Sequence, residues 1–494
     1  MSGAIGSILN NFGALEALNG IAAAQSSNNT YETDLSTGLS INSPADNPAG
    51  FIEAQGFEAQ INGVTQASAN ANEGVSLLQT AQGAVQQQLD IAQKLNSIAV
   101  QAANGTQTSE EAQSLQAVVA QLTGQVTTIA QQTQFNDISL LDGTFTGVQF
   151  QVGASEGQTI DLSIGSTEAN TLGLNTLGAS ATASALYKGS GSAAATATGS
   201  AFGAGPVTIY GSDGSAKVTV TADESAATLA AAINGLTDQT NVAAQASTSV
   251  VLKATGGSGS AFDFTLGNGT AAAPTDTVTI SATGASGVIT AINNATATTG
   301  ITATQNASGN IVLTQSQGDN ISITGVKNGS FTTENTPTAG VYGGTTSSAG
   351  VFTAAASGAA LVVQGKVSFQ SDESFSVGSA KLVGLQTQST LDALSSINVS
   401  TVSGANSAIN VIKYALEGLN NLDGSLGATQ QRLSATLQNL TTTNTNLQNG
   451  LGVVQDANIP QVSEQLTETQ IQAQAGVAAL KDSTTLQQAY LSLL

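Results

Sequence analysis

The sequence predicts an α+β protein in which long helices from the two termini pair as an antiparallel coiled coil and a β-rich region is inserted between them. Three observations carry that expectation. A seven-residue apolar repeat runs from Ile409 to Val454. A second stretch with the same alternation of three and four steps runs from Phe57 to Ala92. Between them, from about 143 to 395, the texture changes to Gly, Thr, Ser and Val with short β-branched runs.

In chain order, Ile5, Ile8, Leu9, Phe12, Leu15 and Leu18 place an apolar stripe on a first helix. Asn42-Ser43-Pro44-Ala45-Asp46-Asn47-Pro48-Ala49-Gly50 is a hinge whose two prolines end one helix and permit the next. The second helix carries Phe57, Ile61, Val64, Ser68, Ala71, Val75, Leu78, Gln82, Val85, Leu89 and Ala92 on one side. It breaks at Ala102-Ala103-Asn104-Gly105-Thr106, where Asn-Gly signals a turn. Ser109, followed by Glu110 and Glu111, reads as the capped start of a third helix, with carboxylates on the positive end of the dipole. Its apolar face is expected at Leu115, Val118, Leu122, Val126 and Ile129.

The middle repeats itself. Pro206-Val207-Thr208-Ile209, Ala232-Ile233-Asn234, Asn241-Val242-Ala243-Ala244 and Val250-Val251-Leu252 are matched by Val278-Thr279-Ile280, Ala291-Ile292-Asn293, Gly300-Ile301-Thr302-Ala303 and Ile311-Val312-Leu313. The two Ala-Ile-Asn elements stand 59 positions apart, 293 minus 234. Each unit reads as a strand, a short helix ending at the Asn, then further strands, giving two α+β lobes. Residues 189–205, rich in Gly, Ser and Ala, read as a linker.

In the C-terminal repeat, Ile412, Leu419, Leu426, Leu433, Leu440, Leu447 and Val454 keep one half of the register wholly apolar. Asp423, Gln430 and Asn444 interrupt the other half. A repeat of seven held this long marks a coiled-coil seam. About 70 Å of helix requires a partner of like length, which the second helix supplies. The last helix carries Ile459, Val462, Leu466, Ala473, Val477 and Leu480, and the chain finishes Tyr490-Leu491-Ser492-Leu493-Leu494. Chain ends are ordinarily polar and frayed. Two apolar-striped ends point to burial against other copies, so Ile5, Ile8, Leu9, Phe12, Leu15, Leu18, Ile459, Val462, Leu466, Val477, Leu480, Leu491 and Leu494 are the expected polymerisation interface. Ile61, Val64, Val75, Leu78, Leu89, Ile412, Leu419, Leu426, Leu433, Leu440 and Leu447 are the expected coiled-coil seam.

Composition removes other function classes. Ten Lys and Arg face 32 Asp and Glu, a formal net charge of −22, and His, Cys and Trp are absent. Imidazole bases, thiol nucleophiles, disulfides and Cys/His zinc sites are thereby excluded. The acidic balance opposes nucleic-acid binding. No apolar run of about 18 residues is present for membrane insertion, and the first thirty residues carry no Lys or Arg, unlike a cleaved secretory leader. Asp213, Asp223, Glu224, Asp263, Asp276 and Asp319 are scattered through turn-like contexts. They read as solvated loop acids rather than a glycosidase pair or calcium ligands. No enzyme activity, metal or cofactor is expected.

Over about 1–175 and 390–494 the chain resembles bacterial flagellins. The resemblance rests on Leu35-Ser36-Thr37-Gly38-Leu39-Ser40-Ile41-Asn42-Ser43, Thr65-Gln66-Ala67-Ser68, Asn70-Ala71-Asn72-Glu73-Gly74, Ala99-Val100-Gln101-Ala102-Ala103-Asn104 and Gln132-Thr133-Gln134-Phe135-Asn136. Towards the other end it rests on Val399-Ser400-Thr401, Gly404-Ala405-Asn406, Ser425-Leu426-Gly427-Ala428 and Gln474-Ala475-Gly476. It implies an inner terminal-helix domain (1–42 and 455–494), a helical bundle with a β-hairpin (43–175 and 396–454), and an inserted outer region (176–395) with repeats near 206–266 and 276–325. The hairpin falls at 144–164, where Val148, Phe150 and Val152 alternate before Ser155-Glu156-Gly157. The implied role is a self-assembling subunit of the extracellular flagellar filament, serving motility, with a hook-associated junction protein as the alternative. The implied partners are further copies of the chain, hook-associated and cap proteins, and the flagellar export apparatus with its chaperone. Export by that route agrees with the missing leader.

Two departures from the family stand out. Lys94 is the single cation from Met1 to Asp142, against twelve carboxylates, and Arg432 is the only arginine of the chain. Ser40 and Ala69 stand where many relatives have arginine, so apolar and amide contacts must carry the lattice. Gln93-Lys94-Leu95-Asn96-Ser97-Ile98-Ala99-Val100-Gln101 matches the surface by which an innate immune receptor binds some flagellins, but with lysine in place of arginine, and Val118 replaces a glutamate. Lysine lacks the planar fork of arginine, and weak receptor activation is expected.

Overall fold

A computed structural model describes residues 11–177, 186–188, 202, 204–221, 224–255, 260–269, 274–328, 330–333, 351–353, 361–379 and 387–493. Long helices stand at both ends of the chain and a β-rich region is inserted between them. The helices are α1 (Phe12–Thr37), α2 (Pro48–Ala102), α3 (Ser109–Gln132), α8 (Val402–Gln455) and α9 (Ile459–Leu493). The chain forms two compact units, one of Met1–Gln79, Thr146–Ser163 and Leu426–Leu494, the other of Thr80–Phe145 and Ile164–Ser425.

In the first unit, α2 and α8 face each other over a small core of Val64, Ala67 and Leu440, with Leu447 packed against it. The hairpin β3 (Val148–Gln151) and β4 (Thr159–Leu162) pairs Val148 with Leu162 and Gln151 with Thr159. Glycines let it lie close: a Cβ on Gly63 would stand 2.8 Å from that of Ala154, and one on Gly74 would stand 3.4 Å from the Phe150 ring. The Asn70 amide donates to Gln151 O at 3.0 Å, fixing the strand to the helix.

In the second unit, α3 starts one residue earlier than the sequence reading placed it. Thr108, not Ser109, is the N-cap. Its hydroxyl accepts from Glu111 N at 3.3 Å while Glu111 Oε2 accepts from Thr108 N at 2.9 Å. This reciprocal capping box satisfies two backbone donors that the helix leaves open. The buried face is also displaced: Ala112, Val119, Thr123, Val126 and Ala130 are buried, whereas Val118 is exposed. Branched residues at both 118 and 119 made the two faces alike in sequence, and packing chose 119. The Gln88 side chain, fully buried, donates to Val126 O at 3.0 Å and Thr167 O at 3.3 Å.

The same unit holds two lobes that repeat at 59-residue spacing. The first has β7 (Gly205–Tyr210), β8 (Ser215–Val220), α4 (Ala226–Asn234) and α5 (Thr237–Thr240), followed by β9 (Ala243–Thr255). The second has β10 (Ala261–Gly269), β11 (Pro274–Thr283), α6 (Gly284–Asn294) and α7 (Thr296–Thr299), then β12 (Ile301–Gln305) and β13 (Ile311–Gln315). The sequence reading began the second repeat at 276 and let the first run to 266. The structure corrects both: Phe262, Phe264 and Leu266 of β10 belong to the second core, so β10, not β11, corresponds to β7. The alternation of β11 is the louder signal in the sequence, and its antiparallel pairing with β10 is a long-range contact that alternation does not report.

The lobes are interleaved rather than strung in series. The single strand β9 replaces the two short strands expected at 241–244 and 250–252. Its Ala244 and Ala246 enter the first core, and its Val250 and Leu252 enter the second. After the second lobe the chain returns through β17 (Leu361–Val363) to β18 (Lys366–Ser371), where Phe369 completes the first core. β18 pairs antiparallel with the start of β9, and β13 pairs antiparallel with its later part. Of the expected linker at 189–205, residues 189–201 and 203 lie outside the described residues, Phe202 is buried in the first core, and Gly205 starts β7.

Candidate assembly surfaces

The terminal helices pair largely through small and polar residues, which leaves Phe12, Leu15, Leu18, Ile459 and Val477 facing outward. Asn11 caps α1 by accepting from Ala14 N at 2.9 Å, and its amide donates to Gln487 Oε1 of α9 at 2.9 Å. Ser483 donates to Asn11 Oδ1 at 2.8 Å. Further along, the Thr469 hydroxyl, buried in the interface, donates to Asn28 Oδ1 at 2.5 Å. At Gly476 a Cβ would stand 2.8 Å from Ile21 Cγ1, so the missing side chain sets how closely the helices approach.

Phe12, Leu15 and Leu18 are 70%, 57% and 51% exposed, and Ile459 and Val477 are exposed as well. Val462 is instead buried within the chain, and Leu466 and Leu480 are half-buried. Ile5, Ile8, Leu9 and Leu494 lie outside the described residues, as does the side chain of Leu491. Ile52, Val453, Ile471 and Leu486 are exposed too, outside the stripes that the sequence predicts. Val453 fell beside the seam residue Val454, and Ile471 stands off the stripe traced along α9, so register gave no signal for either.

The junction between the terminal pair and the coiled coil is closed by backbone contacts. Gly38 takes φ +76° as the αL cap of α1, donating to Asp34 O, and nothing crowds a Cβ there, so backbone conformation alone favours glycine. Ser40 N donates to Gln455 O at 2.7 Å and Ala457 N to Gly38 O at 2.8 Å. In the hinge, Asp46 accepts from Ser43 N and Asn42 N, and these bonds lower its pKa. Burial raises the pKa of Asp34, partly offset by the bond from the Asn42 amide. Asn47 Oδ1 accepts from Gly50 N at 3.0 Å, and Pro48 supplies the first residue of α2.

Of the expected seam residues, Val64, Leu78, Leu89, Ile412, Leu419, Leu426, Leu433 and Leu440 are buried, and Ile61, Val75 and Leu447 are half-buried. Two of the three polar interruptions of the seam, Asp423 and Asn444, have partners on α2. Gln86 donates to Asp423 Oδ2 at 2.7 Å, and Asn444 donates to Thr65 Oγ1 at 3.2 Å. Lys94 and Val118 are both exposed.

Among the described residues no group of His, Cys, Asp or Glu could hold a metal ion, and no helix is long and apolar enough to cross a membrane. Among the described residues, the terminal helices offer apolar side chains outward.

Family models fit the same segments. The bacterial flagellin N-terminal helical region matches residues 8–146, the bacterial flagellin C-terminal helical region matches 409–494, and the flagellin hook IN motif matches 206–258. The B-type flagellin of Pseudomonas aeruginosa is 33% identical over 494 residues, covering 98% of this chain and 98% of that protein. The chain belongs to the flagellin family. It is a structural subunit of the extracellular bacterial flagellar filament. A flagellin of Salmonella muenchen is 41% identical over 148 residues, 30% of this chain and 29% of that protein. The solved structure titled FliC from Burkholderia pseudomallei is 20% identical, covers 73% of this chain and 99% of its own, and superposes with a TM-score of only 0.30. The IN motif match takes in the whole of β9, the strand that the two lobes share.

Proposed function

We propose that this flagellin chain joins the filament by burying the outward apolar faces of α1 and α9 against the same helices of neighbouring copies. The observation that carries this reading is the exposure of Phe12, Leu15, Leu18 and Val477 on helices already paired through small and polar residues. An isolated helix is marginal in water, so these helices gain their order chiefly by docking. At ~25 cal/mol per Å2, a few hundred Å2 of apolar surface per helix offsets much of the ordering cost. Hook-associated and cap proteins at the filament ends, and an export apparatus with a chaperone on the C-terminal segment, are the further partners this role requires. With no cysteine in the sequence, no disulfide can form on the way out.

Deleting residues 1–29 or 459–494 is expected to abolish polymerisation while the lobes keep their protection from protease. Filament growth by either deletion variant, followed by electron microscopy, would refute the reading. Because the net charge is −22, copies repel, and moderate salt is expected to speed growth by screening. Equal rates at low and moderate ionic strength would sink that part.

A further inference from the structure

The only arginine of the chain stands in a groove. Arg432 lines a cleft of about 680 Å3 between α2, α8 and the turn of the β3–β4 hairpin. Val64, Val152, Leu440 and Leu447 give it an apolar wall, and Gln60 and Asn439 line it with amides. Among the described residues the Arg432 guanidinium has neither a hydrogen bond nor an ion pair, although the chain carries 32 carboxylates. A cation left unpaired on so acidic a molecule is the natural counterpart of a carboxylate brought by another copy.

A segment of complementary chemistry exists. β1 (Gln134–Phe135) and β2 (Ile138–Ser139) form a two-residue hairpin with Asn136 and Asp137 at its tip, at φ +50° and +62°. Both tip residues are left-handed, as a type I′ turn requires, which makes a narrow, rigid projection. The tip presents an exposed carboxylate beside Ile138, which is 50% exposed. Asp137 likewise makes no bond among the described residues. Carboxylate and apolar side chain thus adjoin on the tip, as guanidinium and apolar wall adjoin in the groove.

We propose that the Asn136-Asp137 tip of one copy docks in the Arg432 groove of a neighbouring copy, pairing Asp137 with Arg432 and seating Ile138 on the apolar wall. This rests on the filament role and names one of its lateral or axial contacts. A desolvated charge pair there would fix register more than add affinity. It would also explain how a chain so poor in cations selects one arrangement of neighbours.

The test uses the full chain. Arg432→Glu and Asp137→Arg are each expected to slow seeded polymerisation more than about tenfold at low salt, and the double charge swap to recover to within about threefold of wild type. Since the chain has no cysteine, Ile138→Cys with Ala435→Cys, the latter on the groove lining one turn from Arg432, adds a second measurement that leaves both charges in place. Filaments of that variant, oxidised, are expected to run as a ladder of covalent oligomers. Single swaps that polymerise like wild type, or a double swap no better than the worse single, would overturn the contact. So would normal filaments giving no ladder, and in that case the filament role itself stands. A wild-type chain that never polymerises would overturn both.

Discussion

Asn234 and Asn293 occupy the same place in the two lobes, and their removal gives a sharp test of how the lobes are held. The Asn293 amide donates to Ala303 O at 2.9 Å, and Asn293 Oδ1 accepts from Ala303 N at 2.7 Å. Asn234 does the same to Ala244, at 3.0 and 2.7 Å. β12 is an edge strand of its sheet, so the side-chain amide stands where a further strand would pair. Asn293→Ala strands one donor and one acceptor on Ala303, which is only 2% exposed. At about 1–3 kcal/mol for each buried group left unsatisfied, the lobe should lose roughly 2–6 kcal/mol. Because about 1.4 kcal/mol is a factor of ten, amide exchange across Ile301–Gln305 should accelerate by roughly thirtyfold or more. Asn234→Ala should act in the same direction at the start of β9, more weakly because Ala244 is less deeply buried. Asn293→Asp keeps the acceptor but turns a carboxylate oxygen towards Ala303 O, so it should not rescue. Hydrogen-exchange mass spectrometry of the full chain reads all three. Exchange in Asn293→Ala within about threefold of wild type, or an Asn293→Asp chain as protected as wild type, would refute the mechanism.

Three more outcomes follow from the same geometry. Leu419, fully buried on α8, should cost about 2–5 kcal/mol when cut to Ala, read as a lower thermal midpoint, whereas Val453→Ala, at a site 88% exposed, should leave that midpoint unchanged. Bonds from the Thr108 backbone and hydroxyl lower the Glu111 pKa below its ordinary value of 4.5. The native state therefore favours the carboxylate, and the support it gives α3 is present above pH 4.5 and lost as pH falls through the lower folded value. Faster exchange at the α3 N-terminus on acidification, absent in Glu111→Gln, is the readout. Burial, with Glu417 and Asp372 nearby, pushes the Tyr414 phenol from 10.0 up to about 12. The native state holds that proton more tightly, so stability falls as pH rises from about 10 towards 12. An ultraviolet titration should show a late-ionising component that is lost in Tyr414→Phe.

The periodic features were open to reading because helix geometry writes itself into sequence. The strict half of the heptad, Ile412 to Leu440, is buried turn after turn. The hinge prolines, the hairpin alternation of Val148 and Phe150, and the 59-residue spacing of the two Ala-Ile-Asn elements are likewise local patterns. Local pattern ran out where two neighbouring choices carried equal signal. Thr108 and Ser109 both offer a capping hydroxyl, and the reach of Glu111 back to Thr108 decided between them. Val118 and Val119 are chemically alike, and the packing of α3 buried the second.

The sequence by itself determined the helical ends, their seam, the β-rich insertion and the absence of imidazole and thiol chemistry, because period and composition are properties of short windows. Only tertiary structure decided that β9 serves two cores, that β18 returns to complete the first lobe, and that Asp423 and Asn444 are answered by Gln86 and Thr65 across the seam. It also decided which large side chains of the paired terminal helices stay outside. Those outcomes depend on which residues meet across hundreds of positions of chain, and no local pattern encodes a meeting of that kind.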